Sequence, residues 1–377
     1  MNIGAGLSTL PDAADAAREA ADRVPRRADL AFVFLSPPHL DDVEAAVAAV
    51  ESELEPRHLV GCVAEGVVAR EREVEEGPAV AVWSASLPGA SVQTFHARAV
   101  EMDDGVAIVG FPELASPVIL LADPYTFPTG PFLERLAEER PGMSVIGGLA
   151  VGGEGPGRQA LIAEGGIHRE GAVGAALAGV TVVPLVSQGC APIGRDAVIT
   201  RAEENVVYEL AGEPALERLR SEIGLLDEGG RALAAGGVLA GLVIDENRAE
   251  YGRGDYLMRA ILGADEEDGA LVIGERVRVG QTLRFHVRDA GSADDDLRET
   301  VGGALPGLRA EGALLFTCNG RGTSMFPVPD HDAAVVADAV PGDAVAGLFC
   351  GGEIGPVGGR SFLHGFTATV ALFVPNA

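Results

Sequence analysis

A pattern of strand, helix, strand and glycine turn recurs three times, and it is the feature that most constrains the fold. In each copy an apolar strand is followed by a stretch with helical spacing, a second short strand, glycines and further strands. The copies begin at "DLAFVFLSP", "PVILLADP" and "GALLFTCNGRG", and their glycine turns are "GCVAEG", "GGLAVGG" and "CGGEIG". This recurrence predicts internal duplication. The alternative is that the chain only shows the strands and glycine turns that recur in any α/β protein.

The same pattern sets the expected fold class and domains. We expect an α/β to α+β fold with two similar lobes of mixed, mainly antiparallel sheet flanked by short helices. The lobes are predicted at 28–225 and 226–374, with the glycine turns near a common cleft. Between the second and third copies, "AVIT" predicts a strand, while "EENVVYEL" and "PALERLRSEI" predict helices.

Charge and cysteine usage exclude several classes of function. The 377 residues carry a net charge of −28, which disfavours nucleic acid and anionic membrane surfaces as partners. The four cysteines form no CxxC pair, so we expect no metal site and no disulfide scaffold. The N-terminus lacks a secretory signal, and the longest apolar stretch, 171–186, is short for a membrane span and interrupted by Gly and Pro. We therefore expect a cytoplasmic protein.

The stretch "TCNGRG" is the most site-like motif in the chain. It places Cys318, Asn319, Gly320 and Arg321 directly after a predicted strand. Glycine lets the backbone approach a ligand closely, and a guanidinium matches a carboxylate or phosphate in two-point fashion. The alternative is that Asn and Gly only shape the turn while Arg321 makes an internal salt bridge.

The third glycine turn supplies a complementary charge. It contains Gly352 and Glu353. Together with Arg321, Glu353 suits a zwitterionic amino acid, because the guanidinium can hold the carboxylate and Glu353 the ammonium group. A structural Arg–Glu pair is the alternative, and the sequence leaves both interpretations open.

The remaining candidates lie in the equivalent turns and in one further loop. Thiols and charged groups in these turns are candidate ligand contacts, although a cysteine is commonly a small buried hydrophobe. Ser36 and Asp123 also end strands of the recurring unit, where capping of the next helix competes with a binding role. The predicted turn residues are Gly61, Cys62, Glu65, Gly147, Gly148, Cys190 and Arg195.

Taken together, several segments resemble the FIST family, named for F-box and intracellular signal transduction proteins. They include "LVGCVAEGVV", "VIGGLAVGG", "SQGCAPIGRDAVIT", "GDYLMRAILGADEEDGALVIGERVRVGQTLRFHVRDA", "LLFTCNGRG" and "GLFCGGEIGP". The likeness covers roughly 28–374 in the family's order, and the ordered set is more specific than any single piece.

The resemblance implies an intracellular module that senses small molecules, with amino acids among the proposed ligands. It also implies an unidentified signalling partner protein. We expect no cofactor. No catalytic residue can be carried over from the family, so we favour a function that is not enzymatic. The alternatives are a hydrolase or transferase that acts through Cys318 or Cys190, and a protein-interaction scaffold.

Overall fold

The computed structural model describes residues 1–103, 105–113, 117–340 and 342–375. The strands are β1 (Asn2–Ser8), β2 (Leu30–Leu35), β3 (Leu59–Val63), β4 (Val67–Ala69), β5 (Arg72–Val74), β6 (Val80–Ser86), β7 (Ser91–Met102), β8 (Gly105–Val109), β9 (Val118–Ala122), β10 (Val145–Leu149), β11 (Leu161–Ala163), β12 (Gly166–His168), β13 (Ala172–Ala178), β14 (Thr181–Gln188), β15 (Cys190–Glu203), β16 (Val206–Leu210), β17 (Glu213–Pro214), β18 (Val238–Val243), β19 (Tyr256–Asp265), β20 (Ala270–Ile273), β21 (Thr282–Arg288), β22 (Gly312–Cys318), β23 (Val345–Cys350), β24 (Glu353–Val357), β25 (Arg360–His364) and β26 (Thr367–Val374). The helices are α1 (Ala13–Ala21), α2 (Val43–Leu54), α3 (Thr129–Glu139), α4 (Ala215–Gly224), α5 (Glu228–Ala235), α6 (Ala290–Ala304) and α7 (His331–Ala339).

The chain packs as two compact units. The first comprises the described parts of 1–186, 297–363 and 367–377, and the second comprises 187–296 with 364–366. The α+β class with mixed sheets is confirmed. The two parallel strands of all three copies lie in the first compact unit, and residues 364–366 of the third copy belong to the second. The predicted boundary at residue 226 concerns the two halves of the family sequence and stays a prediction.

The three copies build three sheets by exchanging hairpins. At the centre of each sheet lie the two parallel strands of one copy: β2 and β3, β9 and β10, or β22 and β23. The last strand of the same copy, β6, β13 or β26, pairs antiparallel on one side. On the other side β3 pairs with the hairpin β11–β12, β10 with β24–β25, and β23 with β4–β5. Every sheet is therefore completed by a hairpin from another copy.

Side chains along a strand point alternately to the two faces of its sheet, and this alternation explains how the three sheets share one core. In β2, Phe32 and Phe34 face a core that also contains side chains of the other two sheets, such as Ile119 and Phe316. The intervening residues of β2 face α1 and α2 instead. Burial of each large apolar side chain stabilises the fold by about 1.5–3 kcal/mol, so both faces of the strand contribute.

A glycine in the second parallel strand of each copy lets the strands approach. An added Cβ at Gly61, Gly147 or Gly347 would lie 2.1, 1.9 or 1.7 Å from the carbonyl oxygens of Val33, Leu120 and Leu315 respectively. No other residue fits these positions without moving the backbone. In the third copy the equivalent glycine is Gly347, which lies before the turn "CGGEIG".

The second compact unit contains a seven-stranded sheet with the order β15-β21-β18-β19-β20-β16-β17, in which the first six strands close into a barrel. Closure comes from the length of β15, which pairs with β21 through its first part and with β16 through its last part. The predicted helix "EENVVYEL" is wrong, because Val206–Leu210 form β16. Val207 pairs with Leu271 of β20 and is fully buried, so barrel packing overrides the local helical pattern.

Candidate ligand-binding site

The predicted site residues of the first compact unit gather at the carboxyl ends of its central strands. Cys318 of β22 and Cys350 of β23 are direct partners in the parallel ladder. Glu353, at the start of β24, pairs with Gly148 of β10. Cys62 of β3 is close enough to Cys350 for an electrostatic interaction. Turns from all three copies therefore meet at the carboxyl ends of the central strands, where their residues form a buried cluster.

Gly148 has a specific steric role in this cluster. A Cβ at this position would lie 2.2 Å from the sulfur of Cys350 and 3.3 Å from the carbonyl oxygen of Gly352. The Gly352 oxygen in turn accepts a hydrogen bond of 2.8 Å from the backbone N–H of Leu149. Glycine is thus required for the turn that carries Glu353 to pack against β10.

Arg321 makes the internal salt bridge that the sequence left open as the alternative, and its partner is Asp332, which the sequence did not predict. Its side chain is 1% exposed, and its Nε and Nη2 donate to Asp332 over 2.6 and 2.8 Å. Asp332 also accepts from the Thr317 hydroxyl at 2.6 Å and lies 2.9 Å from Nδ1 of His331. The ring of Phe326 stacks on His331 and lies 5.2 Å from the Arg321 guanidinium carbon. The forked face of Arg321 is therefore occupied by the protein itself.

The electrostatics of this pair favour its charged form. Burial alone would raise the pKa of Asp332, but Arg321 outweighs it and holds that pKa well below the usual range. Burial alone would lower the pKa of Arg321, and Asp332 raises it. Both groups are thus charged in the folded protein at neutral pH.

Glu353 is the second buried ionisable group of the site. Its side chain is 0% exposed, and one oxygen, Oε2, accepts from the backbone N–H of Thr367 at 3.1 Å and from its hydroxyl at 2.7 Å. Burial raises the pKa of Glu353 well above its usual value, although Thr367 and Arg321 act in the opposite direction. Burial therefore favours the protonated form of this carboxyl.

Three buried polar atoms of the cluster have no hydrogen-bond partner among the described residues. They are Nη1 of Arg321, Oε1 of Glu353 and Oδ1 of Asn319. A buried polar atom without a partner costs about 1–3 kcal/mol, so most folded proteins avoid it. One atom on each of two interacting side chains, Arg321 and Glu353, is therefore left unsatisfied.

The loop after β22 forms the outer layer of the cluster. Asn319 donates from its side chain to Glu65 and from its backbone N–H to the Cys350 carbonyl oxygen, the latter over 2.9 Å. The backbone N–H of Gly320 points to the Cys318 sulfur at 3.4 Å. Cys318 and Asn319 are half-buried, and Glu65 and Gly351 are exposed. Residues that adjoin the fully buried charged groups are thus partly exposed.

Cys190 and Arg195 lie in β15 of the second compact unit. Cys190 is buried and pairs with Arg288 of β21, and Arg195 is exposed. Ser36 and Asp123 make local hydrogen bonds: Ser36 donates to the Gly77 carbonyl oxygen, and Asp123 accepts from the backbone N–H of Tyr125.

Asp332, His331 and Thr367 are the site residues that sequence reasoning missed. The only available signal was the "DHD" at the start of a predicted helix. An acidic residue there is typical of an ordinary helix start.

A separate cleft of about 520 Å³ lies elsewhere in the first compact unit. The rings of His96 and His168 stack beside it with centroids 3.7 Å apart, and Arg98 and Arg169 also line it. Nε2 of His96 donates to the carbonyl oxygen of Glu170 at 2.8 Å. Burial lowers the pKa of His96; the Glu170 carbonyl raises it and His168 lowers it.

Comparison with known proteins identifies the family. The FIST N domain matches residues 29–213, and the FIST C domain matches 215–356. The uncharacterized protein Mb0898c of Mycobacterium bovis is 45% identical over 387 aligned positions that cover all of both chains. The uncharacterized protein Rv0628c of Mycobacterium tuberculosis is 45% identical over 99% of this chain and all of its own. Among the described residues, no helix is long and apolar enough to cross a membrane. With both family domains matched over most of its length, the chain belongs to the FIST family.

Proposed function

We propose that the chain is a signal-transduction protein that binds a small polar metabolite through Arg321 and Glu353, with amino acids as the leading class. The observation that carries the proposal is the pair of unpartnered atoms, Nη1 of Arg321 and Oε1 of Glu353, at full burial. A bound molecule that satisfies both atoms recovers the free energy that their burial costs. The link of the FIST family to signal transduction supports the sensing role.

The two atoms differ in the chemistry they can recognise. Nη1 of Arg321 is a donor, so it fits a carboxylate or another acceptor of the ligand. Oε1 of Glu353 accepts from an ammonium or hydroxyl group once the carboxyl is ionised. Because Asp332 already occupies Nε and Nη2, a ligand carboxylate meets one nitrogen of Arg321 and not the two-point fork.

Entry of a ligand requires the outer layer to open. Gly351 is exposed and the neighbouring Gly352 is buried, so the turn between β23 and β24 runs from the surface to the buried Glu353. Movement of this turn changes the contacts of Asn319, whose backbone N–H donates to Cys350 and whose side chain reaches exposed Glu65. Ligand occupancy would thereby alter the surface that an unidentified signalling partner protein recognises.

A thermal-shift screen against amino acids and small metabolic acids tests this proposal. A ligand that binds only the folded state raises the Tm with ligand concentration. Glu353→Gln keeps the shape of the side chain but removes its ability to ionise, so we expect it to abolish the shift. Asp123→Asn makes the same chemical change at another fully buried carboxylate of the first compact unit and should preserve the shift.

Two results would contradict the proposal. One is the absence of a shift with any compound in a well-folded sample. The other is a shift that persists in full in Glu353→Gln, which would place the bound ligand elsewhere. Arg321→Ala is unsuited as the main variant, because it leaves Asp332 as an unpaired buried charge.

A further inference from the structure

Cys318 and Cys350 lie side by side at the ends of adjacent parallel strands. They are register partners in the β22–β23 ladder. Neighbouring strands lie about 4.8 Å apart, within the range of roughly 4.4–6.8 Å that disulfides span between Cα atoms. Phe316 and Leu348, two residues earlier in each strand, both face the shared core, so the two cysteines point to the same side of the sheet.

The ends of these two strands are already tied together. The backbone N–H of Asn319, directly after Cys318, donates to the carbonyl oxygen of Cys350 over 2.9 Å. A covalent bond between the two sulfurs therefore needs adjustment of side chains more than of the backbone.

The two thiols have different surroundings. Cys318 is half-buried, its sulfur lies 3.4 Å from the backbone nitrogen of Gly320, and it interacts electrostatically with Arg321. An N–H donor and a cation both stabilise a thiolate, the reactive form of cysteine. Cys350 is fully buried, and burial raises its pKa well above the usual value. Cys318 thus has the environment of an attacking thiol, and Cys350 that of its resolving partner.

We propose that Cys318 and Cys350 form an oxidation site that reacts with hydrogen peroxide to give a disulfide. The Cys318 thiolate attacks one peroxide oxygen, the O–O bond breaks, and hydroxide leaves while Cys318 becomes a sulfenic acid. The Cys350 sulfur then attacks the Cys318 sulfur; the S–S bond forms, the S–O bond breaks, and the hydroxyl leaves with the Cys350 proton as water. Two electrons pass from the thiols to the peroxide.

The proposed disulfide lies at the base of the ligand site. Cys318 is three residues before Arg321, and Cys350 is three residues before Glu353. Oxidation would tie together the two loops that carry these groups. The oxidation site does not depend on the proposed ligand, because its chemistry uses only the two thiols and the peroxide.

The test is peptide mapping of the full chain after brief treatment with hydrogen peroxide. Arginines separate all four cysteines in the sequence, so cleavage after arginine places each cysteine in its own peptide. Arg321 separates Cys318 from Cys350. We expect peptide 310–321 linked to peptide 322–360, with the link lost on reduction. Cys190→Ser, altered in the other compact unit, should give the same linked pair.

Two further variants separate the roles of the two thiols. Cys350→Ser should stop at the sulfenic acid of Cys318, which dimedone captures. Cys318→Ser should lose most of the rate at which the folded protein consumes peroxide. A link that involves Cys62 or Cys190 would overturn the proposal, as would unchanged thiols in the folded chain or peroxide consumption that persists in Cys318→Ser.

Discussion

The buried pair of Arg321 and Asp332 gives the sharpest stability prediction. Asp332→Asn keeps the size of the side chain but leaves the Arg321 guanidinium without a counter-charge at 1% exposure. Breaking a buried ion pair from one side costs about 3–5 kcal/mol, because the remaining charge stays out of water. For a compact unit of this size, 1 kcal/mol lowers the Tm by roughly 2–4 °C, so we expect a decrease of about 10 °C.

Thermal unfolding followed by circular dichroism measures this decrease, and two further variants show its cause. The double replacement Arg321→Met with Asp332→Leu should recover most of the loss, since removing both charges is often neutral or stabilising. Arg135→Gln removes one member of an exposed pair with Glu139 on α3 and should leave the Tm nearly unchanged. If Asp332→Asn lowers the Tm no more than Arg135→Gln does, the reasoning about this buried pair is wrong.

Two more predictions concern residues of the sheet that contains β5 and β23. Burial raises the pKa of Glu73 to about 7, so its stabilising contribution is complete below about pH 4.5 and is lost as the pH rises through about 7, a change of about 3 kcal/mol. Glu73→Gln should therefore weaken the fall of the Tm between pH 5 and pH 7. The control Glu76→Gln, at an exposed position, should not weaken it, and equal slopes for the native chain and Glu73→Gln would contradict the assignment. Gly347→Ala should lower the Tm strongly, because the added Cβ would lie 1.7 Å from the Leu315 carbonyl oxygen. Its control, Gly302→Ala, meets no atom within 4 Å in α6 and should not lower the Tm.

The order of elements in the recurring unit was predictable because each element has a local signature. Strand length, helical spacing and glycine are visible in any window of about a dozen residues. The exchange of hairpins was not predictable in this way. The pairing of β4 with β23, for example, joins Val68 to Gly347, and nothing near Val68 in the sequence specifies so distant a partner.

Some residues of the candidate site were recognisable in the sequence and others were not, and local signatures explain the difference. The loop with Arg321 and the turn with Glu353 were recognisable because glycines and a charged residue directly follow a predicted strand in each. Asp332, the partner of Arg321, was not recognisable, because an acidic residue at a helix start has an ordinary local explanation. Its role follows only from the tertiary contact that buries both charges.

Proton release on ligand binding tests the central claim most directly. Burial keeps the pKa of Glu353 raised in the ligand-free protein, and an ammonium group placed at Oε1 should lower it and expel the proton. The measurement is calorimetric titration at neutral pH in two buffers with different heats of ionisation, using an amino acid found in the screen. We expect a binding heat that differs between the buffers for the native chain and no binding heat in either buffer for Glu353→Gln, because that variant should not bind the ligand. Equal binding heats in both buffers for the native chain would contradict recognition of an ammonium group by Glu353.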